Sequence, residues 1–268
     1  MPSLTLADGA TLAFGDAGAG APLVLVHGSP AEGRAWGRAA RHLQGFRLLT
    51  PDLPGYGGSD PLREGTGTAG MADAVAAVID AAATDRRAVW VAGHSYGGNV
   101  ALHAALARRE RIAGLVLFEP VFFRALALTG ARETLDSAAA HFTDYVRRVA
   151  SGDNGAVSRM IEFWFGAGAF ERLPPPVRAY LESAAVKNAA DVQAAFAERV
   201  SVDQLAGFAP RTTIAYGASS PPVVPAIATA LAALLPNAAT APIAGATHAM
   251  LDTHPEAVAA LIKGMAAA

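Results

Sequence analysis

Short, continuous apolar runs alternate along most of the chain with longer stretches of helical periodicity. Runs that are apolar at every position are typical of strands covered on both faces of a parallel sheet. The alternation of strands with helices therefore predicts an α/β fold, in which a mostly parallel sheet carries helices on both faces. The predicted buried strands are 22–26, 46–50, 88–93, 112–118, 212–216 and 239–243.

An N-terminal hairpin precedes these strands. Residues 3–7 and 11–15 flank an Asp8-Gly9 turn, a pattern that predicts two antiparallel strands. Helical stretches then connect the strands of the predicted sheet. They lie at about 33–43, 69–83, 96–109, 222–235 and 255–265.

The alternation stops after Pro120. The following residues contain no convincing strand and predict helices at about 131–150, 155–165 and 177–200. We therefore predict a core made of residues 1–120 and 206–268, with an all-helical insertion of residues 121–205. The insertion leaves the core at the edge where the carboxyl ends of the strands emerge, which is a position suited to a lid.

Composition narrows the expected partners. Hydrophobic residues make up 52% of the 268 residues and the net charge is −2, so we expect a small-molecule substrate and neither nucleic acid nor a membrane surface. The first residues lack the pattern of a signal peptide, and the most apolar helical stretch, 227–235, is too short to cross a bilayer. We expect a cytoplasmic protein. The sequence leaves the oligomeric state open.

Nothing in the sequence indicates a cofactor or a metal ion. The chain has no cysteine, which excludes disulfides, thiolate catalysis and cysteine-ligated metals, and no histidine pair has metal-ligand spacing. A literal G-x-G-x-x-G occurs at 65–70, but no predicted strand precedes it. We interpret it as a loop before a helix and not as a dinucleotide site.

The candidate nucleophile is Ser95, within Gly93-His94-Ser95-Tyr96-Gly97. This G-x-S-x-G follows a predicted strand and precedes a predicted helix. On so sharp a turn the serine hydroxyl projects clear of the backbone, and glycines at both flanks remove the Cβ atoms that would clash. The pattern alone is common, but this context makes it a specific hypothesis.

Serine chemistry also needs a base and donors for an oxyanion. His248 is the best placed of the seven histidines, because it lies in a loop of small residues just after the last predicted strand. The backbone N–H of Tyr96 is one candidate oxyanion donor. The other is the N–H of Ser29, in the turn after the strand 22–26.

Four segments together resemble the α/β-hydrolase superfamily. They are His27-Gly28-Ser29-Pro30, Asp52-Leu53-Pro54-Gly55-Tyr56-Gly57-Gly58-Ser59-Asp60, Gly93-His94-Ser95-Tyr96-Gly97-Gly98 and Gly245-Ala246-Thr247-His248. Their order and spacing cover almost the whole chain, with the helical block in the position of the family's lid. The resemblance implies an α/β-hydrolase fold, and it implies that the segment 52–60 is a structural turn.

The acid of the expected triad departs from the family's common pattern. Most relatives carry an aspartate after the strand that follows the lid, where this chain has Ser220 in Tyr216-Gly217-Ala218-Ser219-Ser220-Pro221. A serine hydroxyl cannot supply the negative charge that stabilises an imidazolium. Glu119 is the substitute that we predict, because it ends an apolar strand and resembles the glutamate acid of some relatives. Asp203 and Asp252 are weaker alternatives.

A serine nucleophile favours acyl chemistry. The dehalogenase and epoxide-hydrolase branches of the superfamily need a carboxylate at this position. We therefore predict hydrolysis of a carboxylic ester or related acyl bond of a small, largely apolar substrate, with Phe122, Phe123 and Trp164 in the substrate pocket. A carbon–carbon bond hydrolase, a perhydrolase, a cofactor-free lyase and a non-catalytic small-molecule-binding module remain open.

Overall fold

The fold is built on one sheet of eight strands, as seen in a computed structural model that describes residues 1–61, 65–83 and 88–267. The strand order in the described part of the chain is β1-β2-β4-β3-β5-β6-β7-β8. The strands are β1 (Ser3–Thr5), β2 (Thr11–Gly18), β3 (Ala21–Val26), β4 (Phe46–Pro51), β5 (Val89–His94), β6 (Ile112–Phe118), β7 (Thr212–Gly217) and β8 (Ala238–Ile243).

The pairing of the strands confirms the predicted α/β architecture. β1 and β2 form the antiparallel hairpin, β2 pairs antiparallel with β4, and every other described pair is parallel. In the register, Val26 lies opposite Gly93, and His94 lies opposite Phe118. The carboxyl ends of β3, β5 and β6 therefore meet at one edge of the sheet, and the residues that follow them are neighbours.

Helices cover both faces of this sheet. The described helices are α1 (Gly37–Ala40), α2 (Gly67–Ala82), α3 (Tyr96–Ala107), α4 (Arg124–Thr129), α5 (Arg132–Ala150), α6 (Val157–Phe165), α7 (Pro175–Ser183), α8 (Ala185–Phe196), α9 (Val202–Ala206), α10 (Val223–Leu234), α11 (Met250–Thr253) and α12 (Pro255–Ala267).

Two hydrophobic cores lie on opposite faces of the sheet, because successive strand residues point in opposite directions. Val26 belongs to the core under α2, α3 and α10, whereas Leu25 belongs to the core under α1, α11 and α12. Both side chains are fully buried. This two-sided burial explains why the strands are apolar at nearly every position.

Six helices, α4 to α9, lie between β6 and β7, and we call them the inserted helices. They differ from the sequence prediction in two places. A short helix, α4, precedes the expected ones, and the single helix expected at 177–200 is divided at Ala184. At the end of α7 the hydroxyl of Ser183 donates to the carbonyl of Tyr180 at 2.7 Å, a local bond that competes with continued helix.

The segment 52–60 is a turn held by Asp52. Its Oδ1 accepts from the N–H of Gly33 at 2.8 Å, and its Oδ2 accepts from the N–H of Gly58 at 2.9 Å. The helix expected at 33–43 is shorter than predicted. The chain makes a 3₁₀ turn over Gly33–Trp36 before α1 begins.

The G-x-G-x-x-G segment at 65–70 runs into α2, which begins at Gly67. Residues 62–64, immediately before it, lie outside the described residues. Within the described ranges, no helix combines the length and the apolar character needed to cross a membrane.

Candidate active site

Ser95 lies on a strained turn between β5 and α3. Its backbone has φ 56° and ψ −126°, and residues other than glycine rarely adopt such a positive φ. A Cβ at Gly97 would lie 2.1 Å from the carbonyl oxygen of His27, and one at Gly93 would lie 2.4 Å from the carbonyl oxygen of Gly97. Glycine is therefore required at both positions for the strand, the helix and the turn after β3 to come so close.

The structure brings Ser95, His248 and Glu119 into one hydrogen-bonded row. His248 Nε2 lies 2.9 Å from Ser95 Oγ, and His248 Nδ1 lies 2.6 Å from Glu119 Oε2. A carboxylate can only accept, so Nδ1 carries the proton and Nε2 is free to accept the serine hydroxyl proton. All three residues are buried, which strengthens the electrostatic interactions among them.

Glu119 is held by more than the histidine. Its Oε1 accepts from the N–H of Gly217 at 2.7 Å and from the hydroxyl of Ser220 at 2.5 Å. Burial alone would raise the pKa of Glu119, but the contacts with His248, Ser220 and Gly217 outweigh burial and hold the pKa below its usual value. The carboxylate is therefore ionised when the site operates.

The backbone of Glu119 directs its side chain. The residue follows β6 and has φ 46°, so its conformation is strained like that of Ser95. Its N–H donates to the carbonyl of Ala215 at 2.8 Å, which fixes the residue against β7. The other two candidate acids lie elsewhere. Asp203 is exposed on α9, and Asp252 is exposed and lies 3.5 Å from Arg38.

Aromatic rings enclose His248. The indole of Trp164, on α6, stacks on the imidazole with ring centroids 4.7 Å apart and an interplanar angle of 18°. On another side, His94 Nε2 donates to the carbonyl oxygen of His248 at 3.0 Å. Burial, followed by the nearby His248, lowers the pKa of His94 to about 3, so His94 is neutral and adds no charge beside the base.

The backbone around Ser29 lies directly beside the serine. A Cβ added to Gly28 would lie 3.0 Å from the Cβ of Ser95. In the described part of the chain, the N–H groups of Ser29 and Tyr96 donate to no protein acceptor. Two unengaged donors next to the serine are what an oxyanion requires.

The Ser29 side chain is held by a polar cluster that sequence reasoning missed. Tyr56 donates to Asp191 Oδ2 at 2.5 Å and lies 2.8 Å from Ser29 Oγ, and Asn188 Nδ2 donates to Ser29 Oγ at 2.9 Å. Because Tyr56 uses its only proton on Asp191, Ser29 must donate to the Tyr56 oxygen and accept from Asn188. The proton of this hydroxyl and one of its lone pairs are thus engaged.

Further contacts fix the two α8 residues of this cluster. Lys187 donates to Asp191 Oδ1 at 2.6 Å, and its ammonium group lies 4.6 Å from the centre of the Tyr56 ring. Tyr145, on α5, donates to Asn188 Oδ1 at 2.8 Å. The available sequence signal was the pair of polar residues three positions apart on the inward face of a helix that is otherwise lined by alanine.

Two cavities adjoin Ser95, and they test the three predicted substrate-binding aromatics. Phe123 lines the smaller cavity, and Trp164 lines both. Phe122 lines neither. Its ring is fully buried in the core and packs edge-on against His103 at 6.2 Å, so its expected place in the substrate pocket is corrected.

The family profile described as "Alpha/beta hydrolase family" matches residues 23–261, which is most of the chain. The chain belongs to the alpha/beta hydrolase family. This membership confirms the family and the fold expected from the four motifs, and it makes the chain a hydrolase enzyme.

Curated relatives within the family have different names. The chain is 40% identical over 112 residues to lipase LipV of Mycobacterium tuberculosis, in a match that covers 42% of this chain and 40% of the lipase. It is 29% identical to a non-heme chloroperoxidase of Streptomyces lividans, over 96% of both chains. The chain thus spans less than half of the lipase but nearly all of the chloroperoxidase.

A solved structure matches over nearly the whole length. A thermophilic esterase from Thermogutta terrifontis, with malate bound, superposes with a TM-score of 0.74 and 25% identity, covering 99% of this chain and 97% of the esterase. The sheet, its flanking helices and the inserted helices therefore have counterparts in a known esterase.

Proposed function

We propose that the protein is a serine hydrolase that cleaves a carboxylic ester or related acyl bond of a small, largely apolar substrate through an acyl-enzyme intermediate. The observation that carries the proposal is the row Ser95–His248–Glu119, with contacts of 2.9 and 2.6 Å. It supplies a nucleophile, a base in the required tautomer and an ionised acid. The names of the lipase and esterase relatives support the same chemistry.

Acylation follows from these positions. Ser95 Oγ attacks the ester carbonyl while His248 Nε2 takes its proton, and Glu119 stabilises the imidazolium that forms. The N–H groups of Ser29 and Tyr96 hold the oxyanion of the tetrahedral intermediate. His248 then gives the proton to the leaving oxygen, the bond from carbon to that oxygen breaks, and the alcohol departs.

Deacylation repeats these steps with water. His248 removes a proton from a water molecule, whose oxygen attacks the acyl carbon under the same two N–H donors. Collapse of the intermediate breaks the bond to Ser95 Oγ, which recovers its proton from His248. The inserted helices act as a lid in this scheme, because Trp164 stacks on the imidazole and shields it from solvent.

Fluorophosphonate labelling tests the proposal. We expect stoichiometric labelling of the wild type, loss of labelling in Ser95→Ala, and turnover of 4-nitrophenyl acetate that disappears with the label. Ser183→Ala, at an exposed serine on α7, is the matched control and should retain both. Absence of a Ser95-dependent adduct contradicts the proposal. Labelling without turnover of any ester assigns a different reaction to the same serine.

A further inference from the structure

The two cavities beside Ser95 differ more than tenfold in volume. The smaller has a volume of about 30 Å³ and the larger about 410 Å³. Both are bordered by Ser29, Ser95, Met160 and Trp164, so both adjoin the candidate nucleophile. A substrate that bonds to Ser95 must distribute its two parts between them.

The position of His248 determines which cavity receives the alcohol part of the ester and which receives the acyl part. The leaving oxygen must lie next to His248 Nε2, because this atom delivers the proton that lets the alcohol depart. His248 borders the larger cavity and not the smaller one. The smaller cavity is bordered instead by Tyr96, whose N–H faces the oxyanion in the proposed mechanism. The alcohol part therefore occupies the larger cavity, and the acyl chain occupies the smaller.

Packed aromatic rings form part of the wall of the smaller cavity. Phe142 lies within 6 Å of Phe123 and Trp164, measured between ring centroids, and Phe123 stacks on Phe196 at 4.0 Å. Since a cavity of about 10–15 Å³ holds one water-sized group, 30 Å³ admits about two. A longer chain must displace rings that hold one another, at about 1–3 kcal/mol for overpacking.

The larger cavity is apolar and reaches the surface. Its walls include Ile161, Leu173 and Leu181, and Val177 at its outer part is 41% exposed. Asp252, the acidic residue of its lining, lies 3.5 Å from Arg38. A volume of 410 Å³ is typical of sites for small organic molecules. This cavity suits a bulky neutral alcohol that leaves directly toward solvent.

We propose that the substrate is an ester of a short acid, with two or three carbons, and a bulky apolar alcohol, and that Val192 helps to set the acyl limit. The proposal rests on the serine-hydrolase function above. Of the two cavities beside Ser95, Val192, on α8, borders only the smaller, and it also borders a third cavity of about 360 Å³ that Phe196 lines. Val177, on α7, borders the larger cavity alone and provides a chemically identical comparison.

Three esters separate the two parts of the substrate. They are 1-naphthyl acetate, 1-naphthyl octanoate and methyl octanoate, compared by kcat/KM. We expect 1-naphthyl acetate to exceed 1-naphthyl octanoate by about 5- to 160-fold, which is the rate equivalent of the overpacking cost. Methyl octanoate, with its long part on the acyl side, should be the poorest. Faster hydrolysis of either octanoate overturns the assignment of the cavities.

Two matched variants test the residue assignment. Val192→Ala should raise the ratio of 1-naphthyl butyrate to 1-naphthyl acetate turnover by about three- to tenfold, because removing two methyl groups enlarges the acyl cavity. Val177→Ala should leave that acyl ratio unchanged and alter the ratio of naphthyl to methyl acetate. If Val177→Ala changes the acyl ratio and Val192→Ala does not, the assignment of the cavities is wrong, although the proposed serine-hydrolase function is unaffected. Failure of every ester together with failed Ser95 labelling contradicts the proposed function itself.

Discussion

The side-chain amide of Asn188 donates to the hydroxyl of Ser29 at 2.9 Å, across 159 positions of sequence. This bond joins α8 to the turn after β3, which carries one of the two N–H donors proposed for the oxyanion. The inserted helices thus contribute to the position of a group in the core.

Replacing Asn188 should slow the reaction more than it weakens substrate binding. In Asn188→Ala the Ser29 hydroxyl loses its donor and the turn gains freedom. Removal of a whole oxyanion donor costs about 10²–10³ in kcat, so loosening one should lower kcat by about tenfold and leave KM nearly unchanged. Steady-state kinetics on 4-nitrophenyl acetate give both parameters.

A boronic acid that binds serine as a tetrahedral adduct gives an independent measure of this positioning. Its affinity should fall in parallel with kcat, a result that general loss of packing would not produce. Asn154→Ala, at an exposed position among the inserted helices, serves as the control. Tyr56→Phe should resemble Asn188→Ala, and the double variant should lose less than the sum of the two. A rise in KM with kcat unchanged contradicts this role of Asn188.

Glu119 should be essential for the rate, because it acts on Ser95 through His248. In Glu119→Gln the neutral amide no longer stabilises the imidazolium, and its NH₂ group can face the histidine, so kcat should fall by about 10³–10⁴. Asp203→Asn is the control, because this exposed aspartate lies on α9 and was an alternative acid. Near-normal turnover by Glu119→Gln would show that Glu119 is not the acid of the proposed triad.

Ser220 should have a smaller effect than Glu119, because it acts through that carboxylate. Ser220→Ala removes the 2.5 Å hydrogen bond to Oε1 but leaves the N–H of Gly217 in place. One hydrogen bond of this kind contributes about 1 kcal/mol, so kcat/KM should fall by about three- to tenfold. Ser220→Thr keeps the hydroxyl and should restore most of the rate. An unchanged rate in Ser220→Ala shows that Gly217 alone suffices.

The candidate row of three residues was predicted from strand ends, from the loop after the last strand and from the family resemblance. Ser95 and Glu119 directly follow β5 and β6, which pair side by side in register, so their proximity is a property of the sheet. An ionisable residue at the end of an apolar strand needs a partner, and Glu119 has one in His248. The strand pattern gave the positions of Ser95 and Glu119, and the family resemblance favoured Glu119 over Asp203 and Asp252 as the acid.

The inserted helices were less predictable, since helical periodicity does not say which neighbour a face meets. The contact of Tyr56 with Asp191 spans 135 positions and depends on how α8 packs against the core. Phe122 and Phe123 are adjacent in sequence, yet only Phe123 reaches a cavity. The path of the chain at the start of the insertion is set at Glu119, which has a positive φ. No local sequence pattern predicts that backbone conformation.

His27, which is buried, and His94, which is half-buried, should make the protein less stable as the pH falls below neutrality. His27 donates from Nδ1 to the carbonyl of Gly28 and accepts at Nε2 from the N–H of Leu53, so it is held neutral. Burial lowers the pKa of His27 to about 4 and that of His94 to about 3, against about 6.5 in an unfolded chain. At a pH between the folded and unfolded pKa values of each histidine, the unfolded chain binds a proton that the folded chain does not.

The sign follows from this difference in bound protons. The contribution of the two neutral histidines to the free energy of unfolding is fully present above about pH 6.5 and is lost as the pH falls toward 4. The slope is up to about 1.4 kcal/mol per pH unit for each histidine. Glu198 opposes the trend, because burial raises the pKa of its carboxyl group. Urea unfolding at pH 7.5, 6.5, 5.5 and 4.5 measures the net slope.

Comparison of the wild type with His94→Gln isolates one histidine from all other titrating groups. Glutamine keeps a donor for the carbonyl of His248 and does not titrate, so the difference in unfolding free energy between the two proteins should shrink as the pH falls from 6.5 to 4.5. The slope of that difference against pH should approach about 1.4 kcal/mol per pH unit, which corresponds to the uptake of one proton. A difference that is constant with pH would mean that His94 titrates alike in the folded and unfolded chain, contrary to its burial beside His248.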